Sequence, residues 1–144
     1  MKFLLPAMSC LLLTTTAAHA RDEHLSLPIK EALESPAAQS KLDKGVKLYF
    51  GQQKHPKPAK TLGEWKTNKK TNAFNKSDKE ACEWVFLSAV LELQERARKE
   101  GGNAVINIRS NYKSHEKSSE MEYTCGAGGL MAGVAFKGTV VKLP

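Results

Sequence analysis

The sequence has no apolar run long enough to cross a membrane. A spanning helix needs about 20 consecutive apolar residues, and the most apolar stretch is confined to residues 3–13. That stretch follows Lys2 and precedes a small-residue cleavage site at positions 18–20, which is the pattern of a secretory signal peptide. We therefore expect residues 1–20 to be removed and the mature chain, without a transmembrane segment, to begin at Arg21 in the periplasm or the medium.

Cysteine is also scarce, with 3 in the whole sequence. Cys10 lies in the expected signal peptide; its acylation is an alternative, because lipid-modified cysteines follow a short apolar segment, but the better cleavage site lies downstream. The other two, Cys82 and Cys125, are too few for a cysteine metal site. In an oxidising compartment they are expected to form one disulfide. Neither a metal nor a cofactor is expected.

Histidines are few, and their positions do not indicate a catalytic site. His24, His55 and His115 all lie in polar segments, and none has a histidine or carboxylate at the four-residue spacing of a helical metal pair. Glu116 and Glu120 beside His115 leave a weak cation site open, although a solvated charged turn is the simpler interpretation. No nucleophile, base and oxyanion site can be assembled. We therefore expect no enzymatic activity.

Half of the 10 glycines lie in residues 125–139, which raises the question of a phosphate-binding loop. Such a loop needs the order G-x-x-x-x-G-K-[ST] and a helix after it. Here the order is Lys137-Gly138-Thr139, and too few residues follow to form a helix. The stretch instead predicts a turn and a last strand containing Val134 and Phe136, with Gly138 at a bulge or a close backbone approach.

One long helix is the strongest local signal. Ser77 and Glu80 have the spacing of a capping box, so the helix is expected over residues 78–99. Gly101 can take the left-handed conformation that ends it. Its apolar residues recur at three- and four-residue spacing, which predicts a buried face; they are Cys82, Val85, Phe86, Ala89, Leu93 and Ala97.

The remaining segments predict a small sheet. Residues 46–50 read as a first strand and residues 104–112 alternate as a half-buried strand. After a polar turn, Met121, Tyr123 and Cys125 fall on alternate positions, which predicts a returning hairpin strand with all three on one face. That face would bring Cys125 towards the helix and therefore towards Cys82.

Two other segments give weaker signals. Residues 21–42 predict one or two short helical turns, because their prolines suit first-turn positions. Residues 61–74 are polar and fit either an edge strand or an irregular excursion. The expected fold class is α+β, with one long helix packed on a small antiparallel sheet, short N-terminal helical turns and a single domain over residues 21–144.

The charge is moderately basic. Lys and Arg number 22 against 15 Asp and Glu, a formal net charge of +7 that falls by one when Lys2 is removed. In an exported protein such a surface meets anionic lipid or cell-wall polymer rather than nucleic acid, although solubility alone is the first explanation. The candidate partners are an envelope polymer, an anionic lipid or an envelope protein.

The lysines concentrate in the tract before the long helix, beside Trp65 and Phe74. Cations and amides in such a tract can hold an acidic glycan or a phosphate group, although an ordered polar loop before a capped helix is the simpler interpretation. The candidate anion-binding residues are Lys66, Lys69, Lys70 and Lys76.

Four motifs carry a resemblance to a known family: TNKKTNAF at 67–74, CEW at 82–84, EGGNAVINI at 100–108 and EYTC at 122–125. With the glycine-rich tail, they resemble a family of small exported Gram-negative proteins often labelled "excinuclease ATPase subunit". More distantly, the order of helix, GGNAV strand, hairpin and last strand is similar to YbjQ-like domains, labelled heavy-metal-binding, and to RcsF-like envelope-stress lipoproteins.

The distant resemblances imply a compact domain with a helix on an antiparallel sheet and, in the RcsF-like case, disulfides between helix and sheet. Together with the residues, they favour a non-enzymatic periplasmic or secreted domain with a binding or envelope-stress role. Two alternatives remain open. One is a small hydrolytic or nucleotide-dependent enzyme, and the other is a secreted factor whose basic face binds anionic surfaces.

Overall fold

The computed structural model describes residues 21–144, so the expected signal peptide and Cys10 lie outside the described residues. In chain order the elements are β1 (Glu23–Pro28), α1 (Ile29–Glu34), α2 (Pro36–Lys41), β2 (Lys47–Phe50), β3 (Lys60–Asn72), α3 (Asp78–Lys99), β4 (Ala104–Tyr112), β5 (His115–Lys117), β6 (Glu122–Ala127) and β7 (Met131–Lys142). The class is α+β. Across this part of the chain, no helix has the length and apolar character needed to cross a membrane.

Helix α3 confirms the prediction from its cap and its periodicity. The N–H of Glu80 donates to Ser77 Oγ at 3.1 Å, which satisfies one of the free donors of the first turn. Gly101, with φ of 79°, follows the last turn in the left-handed conformation. The predicted face is buried along its whole length.

The sheet is larger than predicted, and it is mixed rather than antiparallel. Its seven strands include β2, which runs parallel to β4. Strand β3 pairs antiparallel with β7, while β4 and β6 border the other edge of β7 and β1 pairs with β6. The two strands that were missed or left open are β1, which is at most half-buried, and β3, a polar edge strand in which Thr67 alone is buried.

The predicted hairpin between residues 104–112 and the strand of Cys125 is wrong. Strand β4 turns back at Lys113 and Ser114, with φ of 50° and 63°, into the short strand β5. Strand β6 instead pairs with β1 and β7. Met121 precedes β6 and is 73% exposed, so it does not share the buried face of Tyr123 and Cys125.

The predicted alternation along β4 is interrupted at Asn107. This residue has φ of 49°, and the pairing of β4 with β7 shifts between Ile106 and Arg109. The extra residue turns the strand over, so that Val105 and Ile108 both enter the main core. Ile106 packs instead in a small separate cluster near the carboxyl terminus.

The main core lies between α3 and one face of the sheet. Its aromatic centre is formed by Phe50, Phe86 and Phe136, whose rings lie 5.6–6.0 Å apart. Cys82 of α3 and Cys125 of β6 form a disulfide with a Cα separation of 6.0 Å, in agreement with the pairing predicted from the sequence. The opposite face of the sheet, the open face, carries alternate residues of the same strands, and none of the helices in residues 21–144 packs against it.

Candidate anion-binding site

A groove of about 660 Å³ runs between edge strand β3 and the carboxyl-terminal half of α3. It is lined by Trp65, Lys66, Lys69, Lys70, Ser88, Leu91, Glu92, Leu93, Glu95, Arg96, Arg98 and Lys99. Strand β3 supplies three of the four lysines predicted from the sequence. We call this surface the β3–α3 groove.

The helix supplies the other cations, which the sequence prediction of the site missed. Arg96, Arg98 and Lys99 lie in the last turn of α3, where the negative end of the helix dipole favours positive side chains. The signal for them was visible as a basic cluster at the end of the helix. That this cluster faces the β3 lysines follows only from the packing of α3 beside β3.

Two ion pairs join side chains that line the groove. Glu92 pairs with Lys69 at 2.5 Å, and Glu95 pairs with Lys99 at 3.0 Å. The hydrogen bond from Lys99 holds the pKa of Glu95 below its usual range. Glu95 is therefore ionised at neutral pH, and the two ion pairs neutralise part, but not all, of the positive charge of the groove.

The β3 lysines differ in their partners. Among the ion pairs of residues 21–144, Lys69 has a carboxylate within 4.0 Å, whereas Lys66 and Lys70 have none. Arg98 is held at 2.6 Å by Asp43, outside the groove. Exposed ion pairs contribute little stability, so an anionic ligand can replace these carboxylate partners at small cost.

Trp65 orients one of the cations. The guanidinium of Arg96 lies 5.7 Å from the centroid of the Trp65 ring, within the range of a cation–π contact. Arg96 also donates to Glu100 at 3.3 Å. Trp65 and Glu100 thus hold the guanidinium at the groove, and most of its five N–H donors remain available to a ligand.

Lys76, the fourth predicted lysine, does not reach the β3–α3 groove. It lies in the turn after β3, where its Nζ donates to the backbone oxygen of Asn72 at 3.2 Å. Phe74 lies in the same turn with its side chain exposed. The polar tract of the sequence is therefore divided between two surfaces.

The alternative cation site at His115 is not assembled. The carboxylate of Glu116 accepts hydrogen bonds from Arg109 and Lys137 on the open face, which are cations rather than metal ligands. His24 packs against the Tyr112 ring with a centroid distance of 4.9 Å. Over residues 21–144, no three His, Cys, Asp or Glu side chains group closely enough to hold a metal ion.

The glycine-rich stretch forms sheet and turn. It runs through the end of β6, a turn at Gly128 and Gly129, and then β7, so a strand follows the glycines where a phosphate loop requires a helix. A Cβ on Gly138 would lie 2.7 Å from Val105 Cγ1. This glycine therefore provides the close approach of β7 to β4 that the sequence suggested.

No protein-family model, curated protein or solved structure matches this chain. The functional assignment therefore rests on the geometry of the site.

Proposed function

We propose that this protein is a non-enzymatic binding domain that acts in the periplasm or the medium and holds an anionic polymer of the cell envelope in the β3–α3 groove. The observation that carries the proposal is that six basic residues and Trp65, from two elements, line one groove, with only two carboxylates among the described residues that line it. Repeated phosphate, sulfate or carboxylate groups along a polymer match such a row of cations.

Structural explanations account for each element separately. Lysines on an edge strand prevent pairing with other strands, and cations in a last helical turn complement the helix dipole. Neither effect requires the two sets to face each other across a groove, or an arginine to be held over Trp65. An anionic ligand explains why they converge.

The groove also supports a binding rather than a catalytic role. Ser88 is the hydroxyl residue among the lining residues, and its Oγ donates to the backbone oxygen of Trp84 at 3.2 Å. Within residues 21–144, Ser88 has no hydrogen bond to a base that would make it a nucleophile. We therefore assign the groove to recognition.

Retention on immobilised heparin tests the groove, with heparin as the anionic polymer. The double variant Lys66→Gln/Lys69→Gln should elute at a clearly lower salt concentration than the wild type, because two attractive charges are lost and salt screens the rest. Its melting temperature should change little, since both lysines lie on the surface.

Lys54→Gln/Lys57→Gln is the matched control. It removes the same charge from the loop before β3, where both lysines are exposed and neither lines the groove. Equal losses of retention in the two double variants would show that only net charge matters, and the groove would then not be the binding site.

Export from the cytoplasm is part of the same proposal. It is supported by the helix-to-sheet disulfide, which is compatible with an oxidising compartment. Amino-terminal sequencing of protein from the periplasm or the medium should begin at Arg21. A chain that begins at a diacylated Cys10 would contradict this cleavage and place the protein on a membrane.

An envelope-stress role is a second candidate. The resemblance to RcsF-like proteins implies disulfides between helix and sheet, and the bond between Cys82 and Cys125 is of this kind. Deletion of the gene should then alter the response of an envelope-stress reporter to cell-wall damage. An unchanged response would contradict the envelope-stress role. If the Lys66→Gln/Lys69→Gln variant also binds heparin more weakly, polymer binding remains as the proposed function.

A further inference from the structure

Three large apolar side chains are exposed together at one end of the sheet. Phe74, Leu130 and Met131 are 61%, 68% and 49% exposed. The backbone brings them together, because Met131 pairs with Asn72 across β3 and β7 and the N–H of Ala73 donates to the Leu130 oxygen at 2.8 Å. We call this surface, formed by the turn after β3 and the turn before β7, the apolar tip.

Two lysines flank the apolar tip. Lys76 is held there by its hydrogen bond to the backbone oxygen of Asn72. Lys70, which also lines the β3–α3 groove, borders a depression of about 460 Å³ together with Leu130 and Met131. Neither lysine has a carboxylate within 4.0 Å among the ion pairs of the described chain. Both side chains are long enough to place apolar stems along the tip and their ammonium groups above it.

The acidic residues near the tip are already neutralised. Asp22, which borders the same depression, accepts a hydrogen bond from Lys113 at 2.5 Å. Asp78, at the start of α3, is paired with Arg21. The charge that remains available to a partner at the apolar tip is therefore positive.

We propose that the apolar tip docks on the surface of an anionic phospholipid bilayer, with Phe74, Leu130 and Met131 at the acyl boundary and Lys70 and Lys76 on headgroup phosphates. Exposed apolar side chains combined with basic residues are the two signals that together give reversible binding to anionic membranes. This inference goes beyond the β3–α3 groove and does not rest on it.

Flotation with phospholipid vesicles tests the inference on protein purified after export. The wild type should float with vesicles of equal phosphatidylglycerol and phosphatidylcholine, and much less with phosphatidylcholine alone. Leu130→Ser/Met131→Ser should reduce the bound fraction by roughly tenfold or more, because two apolar side chains are lost from the bilayer contact. Both residues are exposed, so the melting temperature should remain unchanged.

Met121→Ser is the control for the tip, since Met121 is at least as exposed but lies at the opposite end of β6. It should float as the wild type does. Lys76→Gln should also weaken flotation, whereas Lys54→Gln should not. The tryptophan fluorescence emission of a Phe74→Trp variant should shift to shorter wavelength when anionic vesicles are added. The wild type, with its two tryptophans, is the reference.

Three results would overturn the inference. The first is a wild type that does not float. The second is flotation that survives Leu130→Ser/Met131→Ser but is lost in Lys66→Gln/Lys69→Gln, which would assign the binding to the groove. The third is binding only to isolated envelopes and its loss after protease treatment, which would assign the apolar tip to a protein partner.

Discussion

Tyr112 lies across two glycines on the open face of the sheet. A Cβ on Gly126 would lie 2.0 Å from the ring, and a Cβ on Gly133 would lie 3.2 Å from it. Glycine is therefore required at position 126 by the space that the ring occupies, rather than by a ligand, whereas a Cβ at position 133 would only crowd the ring. The ring in turn packs against His24 of β1.

Gly126→Ala should destabilise the protein by about 1–3 kcal/mol, because the new methyl group overlaps the Tyr112 ring and the site must rearrange. Gly129→Ala is the matched control, since no atom of residues 21–144 outside its chain neighbours lies within 4 Å of its added Cβ. Urea denaturation should give a lower free energy of unfolding for Gly126→Ala than for Gly129→Ala. Equal stability of both would show that Tyr112 moves aside freely and that Gly126 has no packing role.

At the scale of elements, one ion network joins four strands on the open face. Arg109 of β4 pairs with Glu64 of β3 at 2.8 Å and with Glu116 of β5 at 3.3 Å. Lys137 of β7 pairs with both carboxylates as well. The hydrogen bond from Arg109 lowers the pKa of Glu64, and that from Lys137 lowers the pKa of Glu116.

The direction of these shifts predicts how stability depends on pH. A carboxyl group whose pKa is lower in the folded than in the unfolded chain stabilises the fold above its unfolded pKa, near 4.3 for Glu. That contribution disappears as the pH falls through the folded pKa. The effect should be modest, because Glu64 and Glu116 are largely exposed and solvent screens their ion pairs.

Glu64→Gln should therefore melt slightly below the wild type at neutral pH, and the difference should shrink as the pH falls below about 4. Melting temperatures measured from pH about 7 to about 3 test this expectation. Glu122→Gln is the control, since Glu122 is exposed and in no ion pair within residues 21–144. A Glu64→Gln difference that is constant with pH would contradict the network.

At the scale of the whole molecule, the disulfide fastens the helical layer to the sheet. Cys82 lies on the buried face of α3 and Cys125 on the buried face of β6, and both are fully buried. The bond closes a loop with a sequence separation of 43 residues. For a loop of this length, the chain-entropy model gives about 4 kcal/mol of stabilisation.

Cys82→Ala/Cys125→Ala should lower the free energy of unfolding by about 2–5 kcal/mol. Its denaturation should be the same with and without a reducing agent, whereas the wild type should lose stability when reduced. Alkylation under non-reducing, denaturing conditions, followed by mass spectrometry, provides the direct check. Two freely alkylated thiols in the exported protein would contradict the bond and the packing of α3 on β6.

Some features of this protein are determined by local sequence. Helix α3 could be predicted because a cap at Ser77, a three- and four-residue apolar spacing and Gly101 all act within a few residues of one another. The disulfide could be predicted because only Cys82 and Cys125 remain after residue 20. The lysines of β3 could be named as candidate ligands from composition alone.

Other features were decided only by the tertiary structure. Strand alternation tells which side chains share a face but not which strand lies alongside, so the parallel pairing of β2 and the place of β6 between β1 and β7 stayed hidden. The bulge at Asn107 changes which side chains of β4 enter the core, and no clear pattern in the sequence predicts it. The β3–α3 groove and the apolar tip both join segments distant in sequence, and only the packing of the whole chain fixes such neighbours.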